Sequence, residues 1–276
     1  MKTRMKGNGS IPRKLTAILA MVVIPLSGIA YAVDTSTGPN SVYIQQLGST
    51  NTVAIEQVGG TNRVGGVTNS VTTSVDGSGI TTLTPAIPSS TNYGTINGSN
   101  NSLSIGQYGN ANSAQYNIQG GYNSYTSTVT GNNNQTSLTI GDQNHASNNH
   151  NTVSETITGS SNMILTNIIG STNSLSTNIS GTGNQVTQNV TTSNASISNT
   201  INTGDFNIMN FQQTDSAGAN GHSLTVATSG DYNSITTQQQ GNNDTTVNIN
   251  TVGSHNTITV RTSSAPIVGP VSAIAR

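Results

Sequence analysis

The chain has no cysteine, no tryptophan, few aromatic residues and very little charge. Only 6% of its 276 residues are charged, 4% are aromatic and 31% are hydrophobic. The absence of cysteine excludes disulfides as a source of stability, and so few apolar side chains make an ordinary globular core hard to build. Disordered chains are typically rich in charge and proline, whereas this chain has only seven prolines. Asparagine, serine, threonine and glycine dominate instead, and this composition favours stacked β-strands.

The formal net charge of −1 conceals an uneven distribution. Five of the eight basic residues lie within the first 14 positions, which leaves three arginines against nine acidic residues, a net charge of −6, in the remainder. Such a balance excludes a basic face that binds nucleic acid.

The first residues have the pattern of a secretory signal peptide. Residues 1–14 are basic, residues 15–29 are mostly apolar, and Ala30, Tyr31 and Ala32 form an A-x-A cleavage site. The apolar run is too short for a comfortable membrane span. We therefore predict a signal peptide over residues 1–32, a mature chain that begins at Val33, and no membrane span after the signal is removed.

Asparagine recurs every eleven residues over long stretches. In residues 98–134 a glycine precedes each of these asparagines by three positions. The second, fourth and sixth residues after each asparagine tend to be apolar, aromatic or glutamine. This pattern predicts a strand with a period of two, closed by a turn that contains glycine. Self-similarity at a fixed period is typical of stacked repeat architectures.

The repeats predict a ladder of inward-facing residues and a set of turn glycines. The ladder asparagines are Asn40, Asn51, Asn62, Asn101, Asn112, Asn123, Asn134, Asn151, Asn162, Asn173 and Asn184. The other predicted ladder residues are Gln46, Gln57, Gln107, Ile157, Ile168 and Ile179. The predicted turn residues, where glycine supplies a positive φ, are Gly48, Gly59, Gly98, Gly109, Gly120, Gly131, Gly159, Gly170 and Gly181.

These units predict an all-β fold, a β-solenoid of stacked two-strand coils. An eleven-residue unit provides a strand of about seven residues and a turn of about four, and two units make a flattened coil of about 22 residues. Coils stacked at about 4.7–4.8 Å satisfy each other's backbone groups in a cross-β, amyloid-like arrangement. We expect the repeat domain to span residues 33–262, with an irregular insertion at about residues 77–97, and a C-terminal tail over residues 263–276.

The spacing shortens to seven residues twice, from Asn62 to Asn69 and from Asn144 to Asn151. We expect both steps to interrupt the regular stack, with the repeat pattern resuming over residues 69–77. In residues 151–190 the sixth position is always aliphatic, whereas the fourth varies and includes Glu155 and Thr166. The fourth position is therefore expected to be less dry than the sixth.

No catalytic, metal or cofactor site is predicted. The histidines at 145, 150, 222 and 255 lie near predicted turns and show no metal-ligand spacing. The Gly-x-x-Asn motif is followed by no predicted helix, so it is not a phosphate-binding loop. Enzymes of the parallel β-helix type carry charged clefts, and this chain has very few charges. We therefore expect a protein that is not an enzyme and uses no cofactor.

Two parts of the repeat region resemble curlins, the subunits of bacterial curli fibres. Curlin repeats have the form S-x5-Q-x-G-x-x-N-x-A-x3-Q, and the segment from Asn101 through Gln107, Gly109 and Asn112 to Ala114 is a near match. The resemblance is close over residues 40–64 and 98–134. Asn101 stands where curlins have serine, Ile118 replaces the second glutamine, and the long glycine-rich leader of curlins is absent.

The resemblance implies a subunit of a Gram-negative bacterium that is exported and polymerises with itself into an adhesive, biofilm-forming amyloid fibre at the cell surface. It also implies an outer-membrane secretion pore, a periplasmic chaperone and a minor nucleator subunit as partners. The alternative is a capped β-solenoid that does not polymerise and acts as an adhesin or surface-binding module.

Overall fold

A computed structural model describes residues 27–33, 40–65, 72–75, 81–84, 94–141, 148–214, 221–241 and 243–263. Every regular element within these ranges is a β-strand. In chain order the strands are β1 (Ser27–Val33), β2 (Ser41–Val42), β3 (Ile44–Leu47), β4 (Thr52–Val58), β5 (Arg63–Val64), β6 (Thr72–Val75), β7 (Thr81–Thr84), β8 (Gly94–Asn97), β9 (Ser102–Tyr108), β10 (Ser113–Gln119), β11 (Ser124–Thr130), β12 (Gln135–Ile140), β13 (Thr152–Ser160), β14 (Met163–Ile169), β15 (Ser174–Thr182), β16 (Gln185–Thr191), β17 (Ser196–Thr203), β18 (Ile208–Thr214), β19 (Ser223–Ser229), β20 (Ser234–Gln240), β21 (Thr246–Val252) and β22 (Thr257–Ser263).

Two parallel sheets enclose the core, and the chain alternates between them. The first sheet has the order β1-β4-β9-β11-β13-β15-β17-β19-β21. The second has the order β2-β5-β10-β12-β14-β16-β18-β20-β22, with β3 and β8 at its N-terminal end. Each coil contributes one strand to each sheet, which is the arrangement of a solenoid. The chain is a β-solenoid of about eight turns with about 23 residues per turn, and the predicted fold class is confirmed.

Neighbouring strands pair in register because successive coils repeat the same pattern. Ser102 pairs with Ser124, which pairs in turn with Thr152 of the next coil. Along β13 exposed and buried residues alternate, because successive side chains of a strand point to opposite faces. Each asparagine and the second, fourth and sixth residues after it therefore face the space between the sheets.

Columns of apolar side chains fill this space. Its largest fully buried side chains are those of Tyr116, Tyr125 and Phe211. The ring of Tyr116 packs where a side chain at Gly94 would lie, so a small residue in one coil admits a large one in the next. Burying an aliphatic side chain is worth roughly 1.5–3 kcal/mol, and a coil gains this fully only when coils on both sides cover it.

The first seven-residue step coincides with an interruption of the second sheet. Strands β5 and β8 both pair with β10, so two short strands share one level of the sheet. Between them, β6 and β7 pair with each other in antiparallel orientation. The prediction that the repeat resumes over residues 69–77 was therefore wrong, because the strand in this stretch belongs to a hairpin and pairs with no strand of the solenoid.

The second step leaves the stack continuous, contrary to the prediction. Strands β12 and β13 on either side of it pair with β14 and β15. Asn151 N–H donates to Asn123 Oδ1 over 3.0 Å, as it would in an unbroken repeat. The extra residues, 142–147, are inserted between Gly141 and Asn148 and lie outside the described residues. The spacing therefore shortened because six residues were inserted into the repeat, and not because a coil was lost.

At the N-terminal end, β1 pairs with β4 along all seven residues. Ala30 to Ala32, the predicted processing site, lie within this strand, so cleavage after Ala32 would remove most of it and leave β4 as the first strand of its sheet. The rest of the predicted signal peptide and the tail after Ser263 lie outside the described residues. Within the described ranges, no helix is long and apolar enough to cross a membrane.

Candidate functional site

A ladder asparagine inside the stack, such as Asn134, makes hydrogen bonds to the coils on both sides of it. Asn134 N–H and Nδ2 donate to Asn112 Oδ1 over 3.0 and 3.1 Å. Nδ2 of Asn134 also donates to the backbone oxygen of Gly159 over 2.8 Å. Its own Oδ1 accepts from the N–H and Nδ2 of Asn162 over 3.0 and 3.1 Å. The side-chain amide of Asn134 thus satisfies the buried N–H of Asn162, bonds to the turn at Gly159 and links three coils.

The asparagines form two separate ladders, one for each sheet. The ladder of the first sheet contains Asn51, Asn101, Asn123, Asn151 and Asn173. The ladder of the second sheet contains Asn40, Asn62, Asn112, Asn134, Asn162, Asn184, Asn207, Asn233 and Asn256. Residues eleven apart thus alternate between the ladders, and residues one coil apart stack directly.

The first ladder changes its chemistry near the C-terminal end. Asn173 Oδ1 accepts a hydrogen bond from the N–H of Ala195. Alanine has no side-chain amide, so it cannot continue the ladder to the next coil. His222 and Thr245 occupy the next two levels, where Thr245 N–H donates to Nδ1 of the buried His222 over 3.2 Å. The eleven-residue asparagine pattern does not include these three residues, because none of them is an asparagine. The pairing of Ser196 with Ser223 and of Ser223 with Thr246 identifies the level of each.

The predicted glutamine and aliphatic ladder residues lie in the column at the sixth position. Gln57 Nε2 donates to Gln107 Oε1 over 2.8 Å, and Gln213 Nε2 donates to Gln239 Oε1 over 2.7 Å near the other end. Gln46 pairs with Ile96 and so has no glutamine beside it. Ile157 pairs with Ile179 in the first sheet, and Ile168 lies between Ile140 and Val190 in the second.

The predicted turn glycines stack on the turns of neighbouring coils. At Gly131 φ is +124°, and a Cβ there would overlap the backbone oxygen of Gly159. Both the backbone conformation and the close approach therefore require glycine. A positive φ is shared by Gly48, Gly59, Gly98, Gly109, Gly120, Gly131, Gly159, Gly170 and Gly181.

Aromatic side chains occupy a second left-handed position in several turns, directly before a ladder asparagine. Phe206, Tyr232 and His255 have φ near +60° and stack with ring centroids 5.2 Å apart. Phe206 is 49% exposed and Tyr232 54%. Tyr122 and His150 form a similar pair at 5.0 Å. Bulky residues are uncommon at such φ values, so sequence reasoning gave no reason to place them there.

The fourth position is as dry as the sixth, contrary to expectation. Glu155 and Thr166 are fully buried, and the side chains of Thr177 and Gln188 next to them are hydrogen-bonded to each other. Thr166 Oγ1 donates to Glu155 Oε1 over 2.9 Å, and Tyr125 Oη donates to Glu155 Oε2 over 2.7 Å. Glu155, Thr166, Thr177 and Gln188 are therefore buried from water, and hydrogen bonds between their side chains offset part of the cost of burial.

In the part of the chain that the structure describes, no group of three or more His, Cys, Asp or Glu side chains converges. Asp205 and Asp231 lie in successive turns, where Asp205 N–H donates to Asp231 Oδ1 over 2.8 Å. His145, one of the four histidines near predicted turns, lies outside the described residues.

The surfaces best suited to an interaction are the two ends of the solenoid. At the C-terminal end, the described coils finish with β21 in one sheet and β22 in the other. At the N-terminal end, the second sheet begins with β2 and β3. Strand edges carry backbone donors and acceptors that favour pairing with a further strand. No family model, curated protein or solved structure matches the chain.

Proposed function

We propose that the chain is the structural subunit of an extracellular, curli-like amyloid fibre that mediates adhesion, aggregation and biofilm formation. The observation that carries the proposal is that both ends of the solenoid present the same ladder. Asn40 begins the ladder of the second sheet and Asn256 ends it. A second copy placed beyond Asn256 would meet that ladder with its own Asn40.

The register of such a junction follows from the register within the chain. Thr257 directly follows Asn256 and pairs with Ser234 of the preceding coil, while Ser41 directly follows Asn40 and pairs with Arg63 of the next coil. Stacking Asn40 on Asn256 therefore places Ser41 of one copy opposite Thr257 of the other. Asn256 Oδ1, to which no described residue donates, would then lie next to Asn40 of the second copy.

The strands at these ends have little protection against pairing. Strands β2, β3 and β22 contain neither lysine nor proline, and their one charged residue is Arg261. Lysine, proline and covering helices are the usual protection of a sheet edge. A contact between opposite ends of identical molecules does not close on itself, so repetition of it produces a filament.

Polymerisation of the chain that begins at Val33 tests the proposal. Purified protein should assemble after a lag that preformed seeds abolish, with diffraction near 4.7–4.8 Å along the fibre axis. A chain that remains monomeric and rich in β-structure would refute the fibre proposal.

Engineered cysteines test the junction itself, and the chain has no cysteine of its own. Across paired strands the Cα atoms lie about 4.8 Å apart, within the range of about 4.4–6.8 Å that a disulfide spans. The variant Ser41→Cys/Thr257→Cys should form covalent multimers on oxidation of the fibres. The control Ser41→Cys/Thr246→Cys should not, because Thr246 lies in the other sheet.

A second candidate function is a capped adhesin or surface-binding module. The exposed row of Phe206, Tyr232 and His255 favours it, because exposed aromatic side chains often serve as binding anchors. Replacing Phe206 and Tyr232 by asparagine, which tolerates a positive φ, should abolish surface binding by such a module but leave fibre growth intact.

The partners proposed for the fibre rest on the curlin resemblance alone. They are an outer-membrane secretion pore, a periplasmic chaperone and a minor nucleator subunit, with export directed by residues 1–32.

A further inference from the structure

Among the described residues, one carboxyl group is buried in the core and takes no part in the asparagine and glutamine ladders. Glu155 is 1% exposed and lies in the middle of β13. Its two oxygens each accept one hydrogen bond, from the hydroxyl groups of Tyr125 and Thr166. An acidic side chain is almost never fully buried unless a cation pairs with it, so the groups around this one decide its charge.

No cation faces Glu155 from any of the strands packed around it. In its own sheet it pairs with Ser127 of β11 and Thr177 of β15. From the opposite sheet Thr166 of β14 contacts it, flanked by Leu138 of β12 and Gln188 of β16. Tyr125 is the one titratable group among these described neighbours, and it carries no positive charge in either protonation state.

Burial without a cation penalises the charged form of the acid. Desolvation raises the pKa of Glu155 from 4.5 to about 7, and the hydrogen bonds from Tyr125 and Thr166 only partly oppose it. Both hydroxyls accept as well as donate, so the neutral acid is also hydrogen-bonded in this place.

We propose that Glu155 is a proton-operated switch: the coil closes around its neutral form, so that acid favours the folded, stacked state. The unfolded chain exposes Glu155 to water and releases the proton at a lower pH than the folded chain does. Folding therefore takes up a proton at intermediate pH. Stability from this group is fully present below about pH 4.5 and is lost as the pH rises towards about pH 7.

The other glutamate of the chain provides a matched control. The sequence contains only two glutamates, and the second, Glu56, projects outward from β4, where its carboxylate accepts a hydrogen bond from Tyr108 Oη over 2.8 Å. The variants Glu155→Gln and Glu56→Gln each remove one carboxyl group and keep its shape. An amide at 155 donates to one hydroxyl and accepts from the other, so we expect the first variant to fold.

The experiment compares the wild-type chain from Val33 with both variants between about pH 4 and about pH 8. The folding equilibrium constant of the wild type should fall on the order of 100-fold across this range, given a pKa that moves from 4.5 to about 7. Glu56→Gln should follow the wild type. Glu155→Gln should lose most of this dependence and exceed the wild type in stability at the alkaline end.

Carboxyl NMR of chains labelled with 13C-glutamate reads the proton directly. Two signals are expected, and Glu56→Gln assigns them. The remaining signal should titrate near neutral pH in the folded chain. A signal from Glu155 that titrates below pH 5, or a Glu155→Gln variant that keeps the pH dependence of the wild type, would overturn the proposal.

This inference concerns folding and rests on the proposed fibre only where it extends to fibre growth. If the chain folds but never polymerises, the NMR titration and the unfolding measurements still decide the role of Glu155. If it polymerises with equal ease at both ends of the pH range and Glu155 titrates as an ordinary acid, the switch fails and the fibre stands.

Discussion

Replacing Asn134 by alanine should break the longer asparagine ladder near its middle. The side chain of Asn134 is fully buried and takes part in four hydrogen bonds. Alanine removes all four, and it leaves the buried N–H of Asn162 without its acceptor.

The expected loss follows from these contacts. A hydrogen bond contributes about 1 kcal/mol net, and a buried donor left without a partner adds about 1–3 kcal/mol. We therefore expect Asn134→Ala to lower the free energy of unfolding by about 5–7 kcal/mol, a large part of the 5–15 kcal/mol that is typical of a domain. The control is Asn167→Ala, since Asn167 lies on the outward face of β14. It should change the free energy by about 0.5 kcal/mol or less.

Guanidinium unfolding of the chain from Val33, followed by circular dichroism, measures both effects. Hydrogen exchange at the backbone N–H of residue 162 should also accelerate in Asn134→Ala, because that group loses its acceptor. If the two variants unfold within about 1 kcal/mol of each other, the ladder is not the stabilising element that its hydrogen bonds indicate.

The natural alanine in the shorter ladder does not contradict this expectation. Ala195 still donates its N–H to Asn173 Oδ1. In the coil above it stands His222, and the level after that is occupied by Thr245. In the shorter ladder, the residues that follow the alanine are not asparagines. In Asn134→Ala the next residue of the ladder is still Asn162, whose N–H loses its acceptor.

Three further perturbations test other parts of the structure. Thr166→Asp should reduce the unfolding midpoint in guanidinium as much as Ile168→Asp, because it places a second buried carboxyl group against Glu155. Deletion of residues 142–147 should leave the circular dichroism spectrum and thermal midpoint nearly unchanged, because it restores an eleven-residue unit between Asn134 and Asn151. Gly131→Ala should lower the free energy of unfolding by several kcal/mol, as its Cβ overlaps a backbone oxygen.

The two kinds of point substitution each have a matched control. Thr156→Asp lies beside Glu155 in sequence but faces outward from β13, and it should be nearly neutral. If Thr166→Asp changes the unfolding midpoint as little as Thr156→Asp does, water reaches the fourth position. Gly106→Ala in β9 lacks a positive φ and meets only the side chain of Tyr108, so it should be tolerated. A folded, stable Gly131→Ala would show that the turns adjust freely, and a deletion variant that fails to fold would refute the continuous register across residues 142–147.

The sequence alone determined the period and therefore the architecture. An asparagine recurs every eleven residues, and every second side chain after it faces inward. A stack of coils is the arrangement that places identical residues of successive repeats next to each other. It also identified the asparagine and glycine positions, since each depends on local chemistry: an amide that bonds on both sides, and a turn with positive φ.

Only the tertiary structure decided which strands of neighbouring coils pair with each other. The pattern did not show that residues 72–75 turn away into a hairpin or that residues 142–147 form a mere insertion, because a short spacing in one strand does not reveal how its neighbours pair. Nor did it show that Glu155 is buried. Its partners, Tyr125 and Thr166, come from two different strands, one of them in the opposite sheet, and contacts across a stack depend on folding as a whole.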